Sequence, residues 1–343
     1  MPDKMRVVQI GLGALGRMLT SYLLDRPQIE IVGAADLDPS LAGRDLGEVS
    51  GLGRKLGLAV CDDLRKPFAD GPVDVAVLTT VSHLPAANPQ IEALIACSTN
   101  VISSCEELSY PRLTAPETSA EIDRLARDAG VSVLGTGVNP GFLMDILPTA
   151  LTAVCREVRK ITVLRCQDAR PRRLPFQQKI GAGLNLQQFE KKKADGSLRH
   201  VGLTESMHLI GSRLGWKLDH TEDIIEPVIA EREVSSDYIT VKPGQAAGVY
   251  QLGLGYAGDE EKIRLEFRAS LGEPDRQDTV IVEGVPDLKF TVPGGINGDV
   301  ATCSILTNAV PTVIAAPPGL RTMADIPPLS WFSARPLPTG APC

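Results

Sequence analysis

Arg6-Val7-Val8-Gln9-Ile10 runs directly into Gly11-Leu12-Gly13-Ala14-Leu15-Gly16, and Arg17–Asp25 follows with apolar residues at Met18, Leu19, Tyr22 and Leu23. The first five residues form a short β-branched run, and the later apolar spacing is helical. A GxGxxG turn between a strand and a helix is the entry to a nucleotide-binding βαβ unit. Gly11 permits the tight turn, Gly13 lets the backbone approach a pyrophosphate, and Gly16 lets the helix pack on the sheet. The first helical turn, with Ala14 and Leu15, offers N–H groups to phosphate. Ile29–Ala35 reads as the second strand and ends at Asp36. That is about 20 residues on, where an acid bonds a ribose 2′-hydroxyl. The expected cofactor is NADP or NAD. Asp36 favours NAD, whereas Arg44 can pair with a 2′-phosphate if its loop folds back.

Outward from that unit the alternation continues. Val73–Leu78 is a near-continuous apolar strand, Pro89–Ala96 a helix, Asn100–Ser103 a strand, Pro116–Ala129 an amphipathic helix and Val131–Leu134 a strand. Such a series predicts an α/β fold, a Rossmann-type doubly wound parallel sheet. After Gly135-Thr136-Gly137 the grammar changes. Helices are expected at Asp145–Cys155, within Gln178–Lys193 and at Thr204–Leu214. Strands are expected at Lys160–Arg165, Pro227–Glu231, Gly248–Ala257, Lys262–Ala269, Thr279–Val285 and Leu288–Val292. The alternation in Lys262-Ile263-Arg264-Leu265-Glu266-Phe267-Arg268 implies a sheet with one wet face. Asp299–Ala315 is again helical, Pro317-Pro318-Gly319 stops it, and the tail to Cys343 reads as partly extended surface chain. The expected division is a dinucleotide-binding domain of residues 1–140 plus 298–343. Residues 141–297 form an inserted α+β domain with a mostly antiparallel sheet, for substrate binding.

The 343 residues are too many for one ordinary core. The net charge of −7 gives no electrostatic reason to bind nucleic acid or an anionic membrane. No apolar run approaches the roughly 20 residues that span a bilayer. Met1–Arg6 lacks a secretory apolar core, so a cytoplasmic protein is expected. Seven cysteines without a close CxxC pair and four histidines without HExxH spacing give no metal site.

Thr79, Thr80 and His83 follow the third sheet strand and can line the nicotinamide side of the crevice, with His83 as a possible proton shuttle. Glu106 and Glu107 follow strand Asn100–Ser103. A half-buried glutamate there suits acid–base work near neutral pH. The alternative is a carboxylate stabilising a helix start. The choice between the two stays open, with a lean to Glu107. Cys105 reads as packing, since nothing nearby would make it a thiolate. In Gly135-Thr136-Gly137-Val138-Asn139-Pro140-Gly141-Phe142, Asn139 and Phe142 can shape a substrate pocket, or the turn can be a hinge. Phe176 and Met207 can add apolar wall. Arg165, Gln167, Arg172, Arg173, Lys179, Asn185 and His208 fall in the segment expected to cover the pocket, with Arg172 and Arg173 read as solvated loop charges.

Four blocks in order carry a resemblance over nearly the whole chain: CEELSYP (105–111), GTGVNPGFLMD (135–145), KIGAGLN (179–185) and GDVATCSILTNAVPTVIAAPPGL (298–320). Together they resemble the 2,4-diaminopentanoate dehydrogenase and native amine dehydrogenase family, whose N-terminal domain is similar to that of dihydrodipicolinate reductase. The resemblance implies NAD(P)-dependent reductive amination of a small ketone or aldehyde by ammonia, the reverse oxidative deamination, a catalytic glutamate at Glu106 or Glu107, and a homodimer. A diamino acid dehydrogenase is the near alternative, and a non-catalytic NAD(P)-sensing protein the alternative from another class.

Overall fold

In the computed structural model residues 4–69 and 71–332 are described; Met1–Asp3, Cys343 and the end of the tail lie outside them. The chain divides into two compact units, Met1–Phe142 with Gly298–Cys343 and Leu143–Asn297.

The first unit opens with β1 (Met5–Ile10), α1 (Ala14–Leu24), β2 (Ile29–Ala35), the single turn α2 (Leu46–Val49), β3 (Val60–Cys61) and β4 (Val75–Leu78). Then come α3 (Leu84–Ile95), β5 (Asn100–Ser103), the turn α4 (Pro111–Thr114), α5 (Pro116–Asp128) and β6 (Ser132–Gly135). Each central strand is apolar because both sheet faces are covered: Val75, Ala76, Val77 and Leu78 are all buried. Polar Gln9 in β1 departs from that pattern, and it is fully buried. Its amide donates to the Gly16 carbonyl and accepts from the Thr20 hydroxyl, which fixes α1 on the strand. Helix α3 starts five residues before the sequence-expected Pro89. Pro85 occupies its first turn, where no N–H is needed, and Pro89 is carried inside the helix at the loss of one hydrogen bond.

The second unit comprises α6 (Ile146–Leu151), β7 (Glu157–Asp168), α7 (Leu174–Lys179), α8 (Leu186–Ala194), α9 (Leu203–Leu214), β8 (His220–Ile229) and the short hairpin β9 (Val234–Ser235) and β10 (Thr240–Val241). Strands β11 (Ala246–Ala257), β12 (Glu260–Ser270), β13 (Gln277–Val285) and β14 (Leu288–Pro293) complete it. Its six-stranded sheet has the order β14-β13-β7-β12-β11-β8. Only β7 and β12 run parallel; the remaining neighbours are antiparallel. In β12 Ile263, Leu265 and Phe267 are buried while Arg264, Glu266 and Arg268 alternate with them, half-exposed. The expected strand Pro227–Glu231 is the end of a longer one: β8 begins at His220 and stops at Ile229. Its early polar residues pair with β11 and hide the pattern.

The chain then returns to the first unit as α10 (Gly298–Ala315) and β15 (Gly319–Arg321). The segment read as surface chain therefore holds a strand. β15 pairs in parallel with β6 and completes a seven-stranded sheet of order β15-β6-β5-β4-β1-β2-β3. Asp123 of α5 seats it by accepting the Leu320 N–H at 2.9 Å.

Candidate functional site

All strands of the first sheet run parallel, so the turns after β1, β4, β5 and β6 leave one edge, the edge where ligands bind in such sheets. The turn after β1 is packed to the limit on its inner side. Gly11 has φ +90, and a Cβ there would lie 2.7 Å from the Thr79 carbonyl oxygen. A Cβ on Gly16 would lie 1.9 Å from the Gly11 carbonyl oxygen. At Gly13, the residue capping α1, a Cβ meets nothing within 4 Å. The helix start thus has open space exactly where backbone N–H groups emerge, and Ala14 and Leu15 form its first turn. Asp36 closes the arrangement: one carboxylate oxygen accepts the Leu12 N–H at 2.5 Å and the other the Asp38 N–H at 2.8 Å. These residues fit a dinucleotide: a phosphate approach at Gly13 and a fixed carboxylate at the end of β2. Arg44 is exposed, its backbone held by Val60 and Leu41.

Thr79 and Thr80 diverge. The buried Thr79 hydroxyl donates to the Gly11 carbonyl at 2.9 Å and pins the glycine turn, whereas the exposed Thr80 hydroxyl donates to Gln90 at 2.9 Å.

Glu106 and Glu107 open a short 3-10 turn, Glu106–Ser109, after β5. Both are half-buried. Glu107 accepts the Leu84 N–H at 2.7 Å, and its other oxygen lies 2.7 Å from His83 Nδ1. His83, the residue capping α3, makes no side-chain cap of its own. Glu107 supplies that cap from 23 residues away. Cys105 is buried and its thiol approaches the Ser82 carbonyl; burial pushes its pKa up to about 12, so it stays a neutral thiol. In the turn after β6, Gly141 has φ +121, and a Cβ would lie 2.6 Å from the Gly137 nitrogen. Asn139 and Phe142 are half-buried there.

The second unit holds a network of buried cations. Arg165, 2% exposed, reaches both oxygens of Asp278 at 3.0 Å. Asp278 also accepts the Ile296 N–H at 2.7 Å, and the Ile296 carbonyl accepts from Arg165 and Gln167. Arg172 donates to Gln167 at 3.1 Å, and its guanidinium lies 4.0 Å over the ring of Phe176. Arg172 is therefore buried, not a solvated loop charge. A planar cation can be carried inward on an aromatic face with its N–H groups satisfied. Arg173 is half-buried. Asn185 caps α8 in a reciprocal box with Gln188. Met207 is fully buried and packs with Leu203 in the space left by Gly253. His208 is half-buried, and burial lowers its pKa. Half-buried His200 stacks on Phe267 with ring centroids 4.6 Å apart. Burial, followed by Lys179, Arg165, Arg199 and Arg172, holds its pKa well below the usual histidine value.

Residues 142–334 match the model of the 2,4-diaminopentanoate dehydrogenase C-terminal domain. Over 95% of the chain and 94% of the relative, the sequence is 35% identical to the 2,4-diaminopentanoate dehydrogenase of Acetoanaerobium sticklandii. The chain belongs to the 2,4-diaminopentanoate dehydrogenase family. An amine dehydrogenase from Streptomyces virginiae is 22% identical over 92% of the chain and 94% of its own length. The solved structure of an amine dehydrogenase from Mycobacterium smegmatis superposes with a TM-score of 0.86 at 25% identity, covering 96% of this chain and 98% of that one.

As a member of the 2,4-diaminopentanoate dehydrogenase family the chain is an NAD(P)-dependent oxidoreductase, which sets aside the non-catalytic sensor. Among the described residues no group of three or more His, Cys, Asp and Glu is placed to hold a metal ion, and no helix is long and apolar enough to cross a membrane. Sequence reading missed the cap that Glu107 gives α3, the stacking of His200 on Phe267 and the bond from Leu12 to Asp36. The last had a signal in the acid at the end of β2. The first two join residues far apart along the chain and had none.

Proposed function

We propose that this dehydrogenase catalyses reductive amination of small ketones or aldehydes with ammonia, and the reverse oxidative deamination, with Glu107 as acid–base group. The observation that carries the proposal is the carboxylate pair Glu106 and Glu107 after β5, on the same sheet edge as the glycine turn after β1. The cofactor is NADP or NAD, held by Gly11, Gly13, Ala14, Leu15, Gly16 and Asp36, with Arg44, Thr79, Thr80 and His83 around it. When bound it supplies or takes up the hydride. Glu107 takes a proton from ammonium, returns it to the hydroxyl that leaves as water, and stabilises the iminium charge. Each of its oxygens has one lone pair engaged by the protein and one left for substrate. Glu106 is the neighbouring candidate for the same work.

Residues 141–297 serve substrate binding and dimerisation in a cytoplasmic homodimer, and within the first unit Asn139 and Phe142 shape the substrate side of the turn after β6; Met207, fully buried, and Phe176, covered by Arg172, belong to the packing of the second unit. The 35% identical relative favours a second reading, a diamino acid such as 2,4-diaminopentanoate as the amine substrate.

The test is NAD(P)H oxidation with a panel of carbonyl compounds, with and without ammonium, and NAD(P)+ reduction with simple amines and 2,4-diaminopentanoate. Turnover is expected to require ammonium; carbonyl reduction indifferent to it would sink the proposal. Reduction of NAD(P)+ by the diamino acid alone selects the second reading. Glu107→Gln is expected to lower kcat by about 10²–10⁴-fold, the usual worth of a positioned acid–base group, with a smaller loss for Glu106→Gln. The reverse order moves the role to Glu106.

A further inference from the structure

Reductive amination has a proton balance that the acid–base group alone does not close. A carbonyl compound, NH4+, NAD(P)H and one H+ give the alkylammonium, NAD(P)+ and water. The carbon–oxygen bond breaks, a carbon–nitrogen bond forms, and the hydride's two electrons make the new C–H bond. The proton that ammonium gives up leaves with the water. The neutral amine formed by hydride addition then needs a second proton, and that one comes from solvent. An acid–base group that serves both steps must be recharged once per turnover.

The pair beside β5 is built for this. His83 Nδ1 lies 2.7 Å from Glu107 Oε1. The other Glu107 oxygen is held by the Leu84 N–H, so the carboxylate cannot turn away from the ring. The His83 side chain is 57% exposed against 28% for Glu107, and with Nδ1 committed inward the ring's other nitrogen is the one left to solvent. An ionised carboxylate has only acceptors, so the neutral ring facing it carries its proton on Nδ1 and keeps Nε2 as acceptor. Glu106 stands next to Glu107 on the same turn, and the buried Cys105 thiol feels both carboxylates. The thiol is neutral and takes no part.

From this geometry we infer that His83 is a proton-relay residue acting through Glu107. The Nδ1 proton passes to the Glu107 carboxylate while Nε2 takes a proton from water. Glu107 then protonates the product amine, and the ring regains its starting tautomer by exchange with solvent. Oxidative deamination runs the same path backwards and delivers one proton to solvent. The inference rests on the amine dehydrogenase reading and on Glu107 as its acid–base group.

Three forms of the full-length enzyme separate relay from mere positioning. Asparagine places an N–H near the position of Nδ1 but cannot take up a proton behind it, whereas alanine removes both functions. His83→Asn and His83→Ala are both expected to lose about tenfold in kcat for reductive amination, at the low end of acid–base effects, with KM for ammonium unchanged. Added imidazole should restore much of kcat in His83→Ala and nothing in wild type. Wild-type kcat in His83→Asn, or no response of His83→Ala to imidazole, overturns the relay. A readout without substrate is 15N NMR of the wild-type protein. The neutral His83 ring is expected as the Nδ1-protonated tautomer, and the Nε2-protonated form would overturn the inference. Absence of ammonium-dependent turnover in wild type is a different failure, and it removes the proposed function itself.

Discussion

Gly13 and Gly16 stand one helical turn apart and meet opposite surroundings. A methyl group on Gly16 collides with the Gly11 carbonyl, while one on Gly13 enters open space. Gly16→Ala is therefore expected to cost about 1–3 kcal/mol of stability, the usual toll of overpacking. Gly13→Ala should unfold at the wild-type denaturant midpoint yet lose most NADH affinity, measured by fluorescence titration. Equal stability losses would show that neither glycine is kept for a ligand. His200 offers a second test at this scale. Its folded-state pKa is depressed, so below about pH 6.5 the unfolded chain binds a proton that the folded chain refuses. Stability is full above that pH and falls as pH drops toward the folded value, by up to about 1.4 kcal/mol per unit. Trp216 of the second unit can report it by fluorescence in a Trp331→Phe background. His200→Phe, which keeps the stack on Phe267, should flatten that slope. The unchanged slope would assign the pH dependence to other groups. Why the glycine turn was legible and the His83–Glu107 pair was not follows from distance along the chain. The turn is six consecutive residues, whereas the pair is 24 residues apart and depends on how two loops end.

At the scale of elements, β15 was concealed by its neighbours. Three residues after Pro317-Pro318 carry no alternation, and what makes them a strand is the partner β6 and the acceptor Asp123. The same carboxylate bonds Arg127 at 2.7 Å within α5, so it joins helix and edge strand. Burial opposes its charge, but Arg127, the Leu320 N–H and Arg321 outweigh that and keep its pKa below the usual value. Asp123→Ala removes a charged acceptor from a buried N–H and is expected to cost about 1–3 kcal/mol. Hydrogen exchange should localise the loss to residues 319–321. Exchange that stays slow there would mean β15 is held by β6 alone. Helix α3 was misjudged for a related reason. Its start is fixed by Pro85 and by a carboxylate from another loop, while Pro89 looks in sequence like a first residue. Strands β2 and β5 were legible to the residue because both are short, apolar and bounded by turns.

For the whole molecule, every residue of the proposed glycine-turn nucleotide site lies in one unit. Gly11, Gly13, Gly16 and Asp36 all belong to Met1–Phe142, and the sheet behind them is finished by α10 and β15. Replacing residues 143–297 by a short Gly/Ser linker is therefore expected to leave NADH affinity within a few-fold of wild type while abolishing turnover. Loss of binding would mean that the inserted unit helps build the cofactor site. The fold class was readable because α/β alternation recurs strand after strand, and the change of grammar after Gly137 marks where it stops. The buried cations Arg165 and Arg172 were not readable, since a charged residue looks the same in sequence whether water or Asp278 and Phe176 receive it.

The late return of α10 and β15 also bears on how the protein is made. A ribosome completes β1 to β6 early but releases the strand that pairs with β6 only after the entire second unit. At roughly 5–20 residues per second that interval lasts about ten seconds or more. Over it the second unit is made in full and becomes able to close, while the first waits with the outer edge of β6 uncovered. Chains cut short within residues 298–321 therefore carry a finished second unit and an unfinished nucleotide sheet. Such fragments present the unpaired edge of β6 as a template for another chain.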